Sequence, residues 1–220
     1  MIQKILFDLD GTLTDPKEGI TKSVQYALHH YGIEEPDLEK LTPFIGPPLG
    51  GSFMEFYGFS EEKAKEAIDV YRQRFQKVGL FENFVYDGIP QMLEKLMNKG
   101  VKLGVASSKP QVSVIRILEH FDLMKYFDVV VGSELDGRRT NKDEVIEEAL
   151  SQLASSEGNP KEGVLMVGDR KFDVLGAHEM GLPCVGVRYG YEVGDELREA
   201  GADFLADTVS DLTKLLLSLV

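Results

Sequence analysis

The chain has 220 residues, of which 43% are apolar and 28% charged, and its 37 acidic and 24 basic side chains give a net charge of −13 at pH 7. This length and composition indicate one globular domain or two small ones. The acidic balance argues against a nucleic-acid polymer as partner, and the apolar runs are far shorter than the roughly 20 residues that a membrane span needs.

Short apolar runs recur along the chain, and helical spacing of apolar residues follows them. Such runs predict the strands of a parallel sheet that is buried on both faces. The runs lie at residues 4–8, 101–107, 129–132, 164–168, 184–187 and 204–206. Alternating strands and helices predict the α/β class, with a doubly wound, Rossmann-like parallel sheet.

The amino-terminal residues and the single cysteine indicate the cellular compartment of the chain. The apolar stretch before Asp8 is too short for the core of a signal peptide, and Cys184 lies in an apolar run with no second cysteine to pair with. We expect a cytoplasmic chain, monomeric or homodimeric, whose partner is a small molecule and not a membrane. Cys184 is expected to be a small buried apolar residue.

One segment interrupts the alternation of strands and helices. Before Tyr86 the spacing predicts a helix that begins after Asp15 as N-cap with Pro16 at its first position, and another that begins after Ser60. The three helical patterns lie at residues 17–31, 37–41 and 60–78. We therefore predict a core of residues 1–14 and 87–220 and an inserted, smaller helical domain of residues 15–86, joined by a hinge.

Two aspartates stand where the first predicted strand ends. Asp8 and Asp10 lie two residues apart, so both can overhang the crevice where α/β folds bind ligands, and Gly11 permits the turn that follows. Because burying unpaired carboxylates is costly, we expect a cation beside them. The alternative is that both aspartates cap a loop.

A second acidic pair follows the apolar run at 164–168. Asp169 and Asp173 would complete an all-oxygen cluster with Asp8 and Asp10. Such a cluster suits a hard divalent ion such as Mg²⁺ and does not suit zinc, since no histidine or cysteine accompanies it. Capping of the next helix by Asp169 or Asp173 is the alternative.

Two other strands end beside residues that could hold an anion. Ser107 leads toward a helix, where a hydroxyl and free backbone N–H groups can bind an anion or serve as an ordinary cap. Lys142 begins a helix although its charge opposes the helix dipole, unless it pairs with the acidic residues that follow it. We expect all of these signals to converge on one edge of the sheet.

With these motifs in order, the chain resembles the haloacid-dehalogenase superfamily of phosphohydrolases. The matching residues are Asp8-Leu-Asp10-Gly-Thr-Leu, Ser107, Lys142, and Gly168-Asp169 with Asp173. The resemblance covers the predicted core, and the inserted helices are similar to the helical cap domain of that superfamily. The chain departs from the pattern where Asp143, and not the proline of many members, follows Lys142, so Lys109 remains the alternative phosphate-binding lysine.

The resemblance implies hydrolysis through an aspartyl-phosphate. Asp8 would be the nucleophile and Asp10 the general acid and base, while Ser107 and Lys142 would hold the phosphate. Mg²⁺ would be bound by Asp8, the backbone carbonyl of Asp10 and Asp169, with Asp173 in the outer shell. Further contacts with substrate are expected from Gly11, Thr12, Ser108 and Lys109.

The resemblance also narrows the substrate class. Asp10 argues for phosphate esters, since the dehalogenases and phosphonate-cleaving members lack it. Loops at residues 46–49, 86–89 and 135–137 are similar to the phosphoglycolate-phosphatase-like branch and its 5′-nucleotidase-like members, which implies a nucleoside 5′-monophosphate. The alternatives are a phosphoglycolate phosphatase or pyrophosphatase of that branch, a sugar-phosphate mutase, or a non-catalytic regulatory protein that accepts phosphate. Candidates for selecting the substrate are residues 44–49, Tyr71, Arg72, Arg74 and Lys77.

Overall fold

The computed structural model describes residues 1–153 and 159–220. The chain forms two compact units, one made of Met1–Thr14 and Val85–Val220 and the other of Asp15–Phe84. The chain passes from the first unit to the second after Thr14 and returns between Phe84 and Val85. The return lies two residues before the boundary expected from the sequence.

Strands and helices alternate along most of the chain, whereas α-helices follow one another in the unit of Asp15–Phe84. The strands are β1 (Lys4–Phe7), β2 (Thr14–Asp15), β3 (Phe84–Val85), β4 (Lys102–Pro110), β5 (Val129–Ser133), β6 (Val164–Gly168), β7 (Cys184–Val187) and β8 (Phe204–Ala206). The α-helices are α1 (Lys17–His30), α2 (Leu49–Tyr57), α3 (Glu61–Arg74), α4 (Ile89–Asn98), α5 (Gln111–His120), α6 (Lys142–Leu153), α7 (Lys171–Glu179), α8 (Glu196–Glu199) and α9 (Val209–Leu219). None of the described helices is long and apolar enough to cross a membrane.

The main sheet has the order β5-β4-β1-β6-β7-β8, and β2 pairs with β3 separately. All neighbours in the main sheet are parallel, and Lys4 of β1 lies opposite Lys102 of β4 and Val164 of β6. The chain therefore winds outward in both directions from β1, which makes the carboxyl end of β1 the switch point where such sheets bind ligands. The predicted doubly wound α/β class is confirmed.

One face of this sheet is covered by α6 and α7. Leu6, Val131 and Met166 of the sheet pack with Ile146 and Val174 of these helices in one buried apolar cluster. Each such side chain contributes about 1.5–3 kcal/mol of transfer free energy on burial. Cys184 lies in the same cluster with a free thiol, as predicted.

The end of β4 differs from the prediction. The strand continues to Pro110 with an irregular register after Ala106, and α5 begins only at Gln111. The residue that precedes a proline is disfavoured in helical conformation, so Lys109 before Pro110 keeps the chain extended. Ser107 consequently lies within the strand and not at a helix N-terminus.

The helical unit departs from the sequence prediction at two places. Helix α2 was not predicted, because Gly50 and Gly51 disfavour helix and the preceding prolines indicated a loop. Helix α1 begins at Lys17 with Pro16 as its N-cap, one residue later than predicted, although the Asp15 carboxylate still accepts the Lys17 N–H at 3.0 Å. The Ser60 cap forms as predicted, since the Ser60 hydroxyl accepts the N–H three residues later.

Two of the side chains considered for substrate selection are engaged inside the helical unit. Arg74 donates to both oxygens of Glu82 at 2.7 and 2.9 Å and to the Ser23 hydroxyl at 3.2 Å. Tyr71 is buried, and its ring stacks on Phe75. These contacts hold the end of α3 in place.

Candidate active site

The end of β1 carries the first two aspartates. The Asp8 N–H donates to the Val167 carbonyl of β6 at 2.9 Å, which continues the sheet by one residue beyond the strand. The chain then turns at Gly11, whose φ of +81° favours glycine and whose N–H donates to the Thr14 carbonyl at 2.7 Å. Asp8 and Asp10 are both buried at this turn, at the carboxyl edge of the sheet.

Lys142, the first residue of α6, reaches this edge from the helix. Its Nζ lies 2.8 Å from Asp8 Oδ1 and 2.7 Å from Asp173 Oδ1, and it donates to the Ala106 carbonyl at 3.1 Å. The two carboxylate contacts are ion pairs, which Lys142 makes together with its hydrogen bond to the Ala106 carbonyl. Burial lowers the pKa of Lys142, but the charges of Asp173 and Asp8 outweigh this effect and raise that pKa above its ordinary value. Lys142 therefore remains charged.

Asp169 and Asp173 are oriented by backbone amides. Asp169 directly follows β6, and its Oδ2 accepts the Tyr191 N–H at 2.7 Å. Asp173 lies in the first turn of α7, and its Oδ2 accepts the Arg170 N–H at 3.0 Å. A Cβ on Gly168 would lie 2.1 Å from Asp173 Cγ, so only glycine fits there. Burial, followed by the charges of Asp173 and Asp8, raises the pKa of Asp169 well above its ordinary value.

The three carboxylates of Asp8, Asp169 and Asp173 can hold one metal ion together. Each offers an oxygen that lies within 4.8 Å of the other two, and all three residues are buried. Asp173, which we expected in the outer shell, lies as close to Asp8 and Asp169 as a shared ion would require. Asp169 forms no ion pair with a lysine or arginine among the described residues, although it is only 1% exposed.

The chemistry of this cluster fits a hard divalent cation. Oxygen is the preferred ligand atom of such ions, and a buried carboxylate without a counter-charge is unfavourable. Among the described residues, Lys142 pairs with Asp8 and Asp173 and Lys109 pairs with Asp10, whereas Asp169 is in no such pair.

Asp10 points toward a different partner. Its Oδ2 accepts from Lys109 Nζ at 2.5 Å, and its Oδ1 is buried with no hydrogen-bond partner among the described residues. Burial raises the pKa of Asp10, although the neighbouring Lys109 acts in the opposite direction. The two candidate lysines therefore contact different aspartates, Lys142 contacting Asp8 and Lys109 contacting Asp10.

The serine and threonine side chains predicted for the site make weaker contacts with the aspartates than the two lysines do. Ser107 is buried at the end of β4, and its Oγ accepts the Lys109 N–H at a long 3.4 Å. The Thr12 hydroxyl lies 3.5 Å from Asp169 Oδ1. Within the described part of the chain, the side chains of Ser107 and Ser108 make no hydrogen bond to the four aspartates.

One segment at this edge was missed by the sequence reasoning. Tyr191 supplies the N–H that orients Asp169, and the Tyr189 hydroxyl donates to the Thr12 carbonyl at 2.9 Å. The available signal was the position of these residues after β7, since every parallel strand of the sheet ends at the same edge.

Comparison with known proteins gives consistent results. A family model described as haloacid dehalogenase-like hydrolase matches residues 5–187. The chain is 55% identical over 194 residues to a 5′-nucleotidase of Pseudomonas aeruginosa, covering 88% of this chain and 86% of that protein. It is 38% identical over 216 residues to the tyrosine-protein kinase PtkA of Mycobacterium tuberculosis, covering 97% of this chain and 72% of that protein.

Among solved structures, a predicted phosphatase from Clostridium acetobutylicum superposes with a TM-score of 0.94 at 48% identity, with 99% of each chain covered. The family model spans most of this chain, and the relatives extend the match over nearly all of it. The resemblance that the sequence indicated is confirmed, and the chain belongs to the haloacid dehalogenase-like hydrolase family.

Proposed function

We propose that this hydrolase is a Mg²⁺-dependent phosphatase that acts on small phosphate monoesters through a phosphorylated Asp8. The observation that carries the proposal is the buried convergence of Asp8, Asp169 and Asp173, with the Lys142 ammonium in contact with two of them. The substrate class that we favour is the nucleoside 5′-monophosphates. The 55% identity to a 5′-nucleotidase supports this choice.

In the first step, a carboxylate oxygen of Asp8 attacks the phosphorus, and the bond from phosphorus to the ester oxygen breaks. Lys142 holds the Asp8 carboxylate in place before the attack, and its charge favours the approach of the anionic ester. Protonated Asp10 gives its proton to the departing alkoxide, which leaves as an alcohol.

In the second step, Asp10 acts in the reverse sense. Its carboxylate takes a proton from a water molecule as the water oxygen attacks the phosphorus of the Asp8 acyl phosphate. Inorganic phosphate leaves and the Asp8 carboxylate is restored. The burial that raises the pKa of Asp10 suits a group that has to carry and return a proton near neutral pH.

The three-carboxylate cluster would hold Mg²⁺, which offsets the repulsion between Asp8 and the phosphate. Ser107 and Ser108, at the end of β4, and the turn at Gly11 and Thr12 are the remaining groups proposed to bind phosphate oxygens. We further propose that the helical unit Asp15–Phe84 has the substrate-selecting role of a cap domain.

The test measures phosphate release from nucleoside monophosphates, phosphoglycolate, sugar phosphates and pyrophosphate, with Mg²⁺ or with EDTA. We expect Mg²⁺-dependent turnover that is highest for nucleoside monophosphates and is lost in Asp8→Asn. Asp207→Asn serves as the matched control, since the Asp207 side chain is exposed and its ion pair with Arg188 is long, at 3.7 Å. Rapid acid quenching should trap labelled phosphate on Asp8 of the wild type and none in Asp8→Asn.

The outcomes separate the parts of the proposal. If the folded, metal-loaded protein releases no phosphate from any ester, the phosphatase assignment is wrong. Turnover that persists in Asp8→Asn would exclude the covalent mechanism. If phosphoglycolate or pyrophosphate ranks first, the phosphatase assignment stands and the nucleotidase assignment fails.

A further inference from the structure

The segment of residues 189–191, between β7 and α8, contacts both halves of the candidate metal site. Its Tyr189 hydroxyl donates to the carbonyl of Thr12, which belongs to the turn after β1. Its Tyr191 N–H donates to Oδ2 of Asp169, which follows β6. One short segment thus connects the turn that follows Asp8 and Asp10 with the carboxylate of Asp169.

Gly190, in the middle of this segment, makes the close approach possible. A Cβ at Gly190 would lie 2.3 Å from the carbonyl oxygen of Gly11 and 2.5 Å from both Cβ and Oδ2 of Asp169. Real Cβ atoms essentially never come so close to other atoms, so any larger residue would push the segment away from the site. The backbone of Gly190 is therefore packed directly between Gly11 and Asp169.

Ion pairs on both sides hold this segment in place. Before it, Arg188 Nη2 donates to Asp195 Oδ1 at 2.7 Å. After it, Glu196 Oε1 accepts from Arg170 Nε at 2.5 Å, and both side chains are buried. Because Arg170 is the neighbour of Asp169, the second pair fixes the segment to the same turn that carries the carboxylate.

We propose that residues 189–191 are a clasp that positions Asp169 for the metal ion. In this role the Tyr191 N–H fixes the orientation of the Asp169 carboxylate, and Gly190 and Tyr189 fix the distance between that carboxylate and the turn after Asp8. The clasp residues act through Asp169 and are positioning residues. The proposal rests on the metal site of the proposed function.

The physical basis is the pre-organisation of a ligand. A carboxylate that is already oriented loses little freedom when it binds the ion, and loss of such an outer contact typically weakens metal affinity by about 10–100-fold. The Tyr191 contact comes from the backbone and cannot be deleted by changing its side chain. Gly190→Ala displaces that backbone, whereas Tyr189→Phe removes only the hydroxyl that holds Thr12.

The experiment titrates the full-length chain with Mn²⁺ and follows free Mn²⁺ by electron paramagnetic resonance. We expect Gly190→Ala to raise the Mn²⁺ Kd by about tenfold or more, and Tyr189→Phe to raise it by about fivefold, the equivalent of one hydrogen bond. The matched control is Val193→Ala in the same loop, because Val193 is 56% exposed, and its Kd should equal that of the wild type.

A second readout distinguishes positioning from general damage. The Mg²⁺ concentration for half-maximal turnover should rise in both variants, whereas turnover at saturating Mg²⁺ should return toward the wild-type value. Folded Gly190→Ala with an unchanged Mn²⁺ Kd would overturn the clasp and leave the proposed function intact. If Gly190→Ala does not fold, an unchanged Kd in Tyr189→Phe has the same meaning. A wild-type chain that binds no Mn²⁺ would overturn the metal site and the clasp together.

Discussion

The charge of Asp169 costs stability in the absence of metal, because this buried carboxylate has no ion pair among the described residues. Asp169→Asn removes that charge, and the amide oxygen can still accept the Tyr191 N–H. We expect the metal-free protein to gain at least about 1 kcal/mol, or about 2–4 °C in Tm, and to lose the Tm increase that Mg²⁺ gives the wild type. Differential scanning calorimetry with EDTA and with Mg²⁺ measures both effects.

The variant to compare with Asp169→Asn is Lys142→Met, which removes a buried positive charge and keeps a side chain of similar size. Without Lys142, the buried carboxyl groups of Asp8 and Asp173 lose their shared counter-ion, so we expect the protein to lose about 3–5 kcal/mol of stability. The two substitutions therefore have opposite signs in the metal-free protein. A metal-free Asp169→Asn variant that melts below the wild type would contradict this account of the site's electrostatics.

At the scale of the element, the close approach of α6 and α7 sets the position of Lys142. A Cβ on Gly176 of α7 would lie 2.9 Å from Cβ and Cγ of Lys142 and 3.0 Å from the Asp143 nitrogen. Glycine within a helix usually costs about 1 kcal/mol relative to alanine, but the overpacking here costs about 1–3 kcal/mol. In Gly176→Ala we therefore expect little or none of the stability that alanine usually adds to a helix. The added methyl group should also displace Lys142 and lower turnover.

The control for this prediction is Gly51→Ala in α2, where the added Cβ meets no atom within 4 Å. That variant should gain about 0.5–1 kcal/mol and keep wild-type turnover. Urea unfolding gives the stability difference for both variants. Equal stabilisation by the two substitutions, with turnover retained in both, would contradict the prediction. It would mean that α6 and α7 can move apart without loss of stability or activity.

The sequence predicts an element well where burial alone determines the pattern of its apolar residues. Strands β6 and β7 end where predicted, because strands buried on both faces are continuous apolar runs between turn residues. Helix α2 was missed because its glycines oppose helix formation and tertiary packing overrides their propensity.

The same distinction applies to the candidate site. The convergence of Asp8, Asp169 and Lys142 on one edge followed from topology, since parallel strands end together. The position of Asp173 within the carboxylate cluster, and the contact of Gly190 with Asp169, depend on distances of a few ångströms that no local pattern encodes.

At the scale of the whole molecule, all three proposed metal ligands belong to the unit of Met1–Thr14 and Val85–Val220. A ligand stabilises the cooperative unit that binds it, so Mg²⁺ at one hundred times its Kd should slow the amides that exchange only on unfolding of this unit by about a hundredfold. The amides of Asp15–Phe84 should keep their rates. Hydrogen–deuterium exchange with mass spectrometry measures both units in one sample, and Asp169→Asn, in which neither unit should respond, is the control. Equal slowing in Asp15–Phe84 would contradict the prediction, because it would mean that the two compact units unfold as one and that the helical unit shares the stability that the metal gives the core.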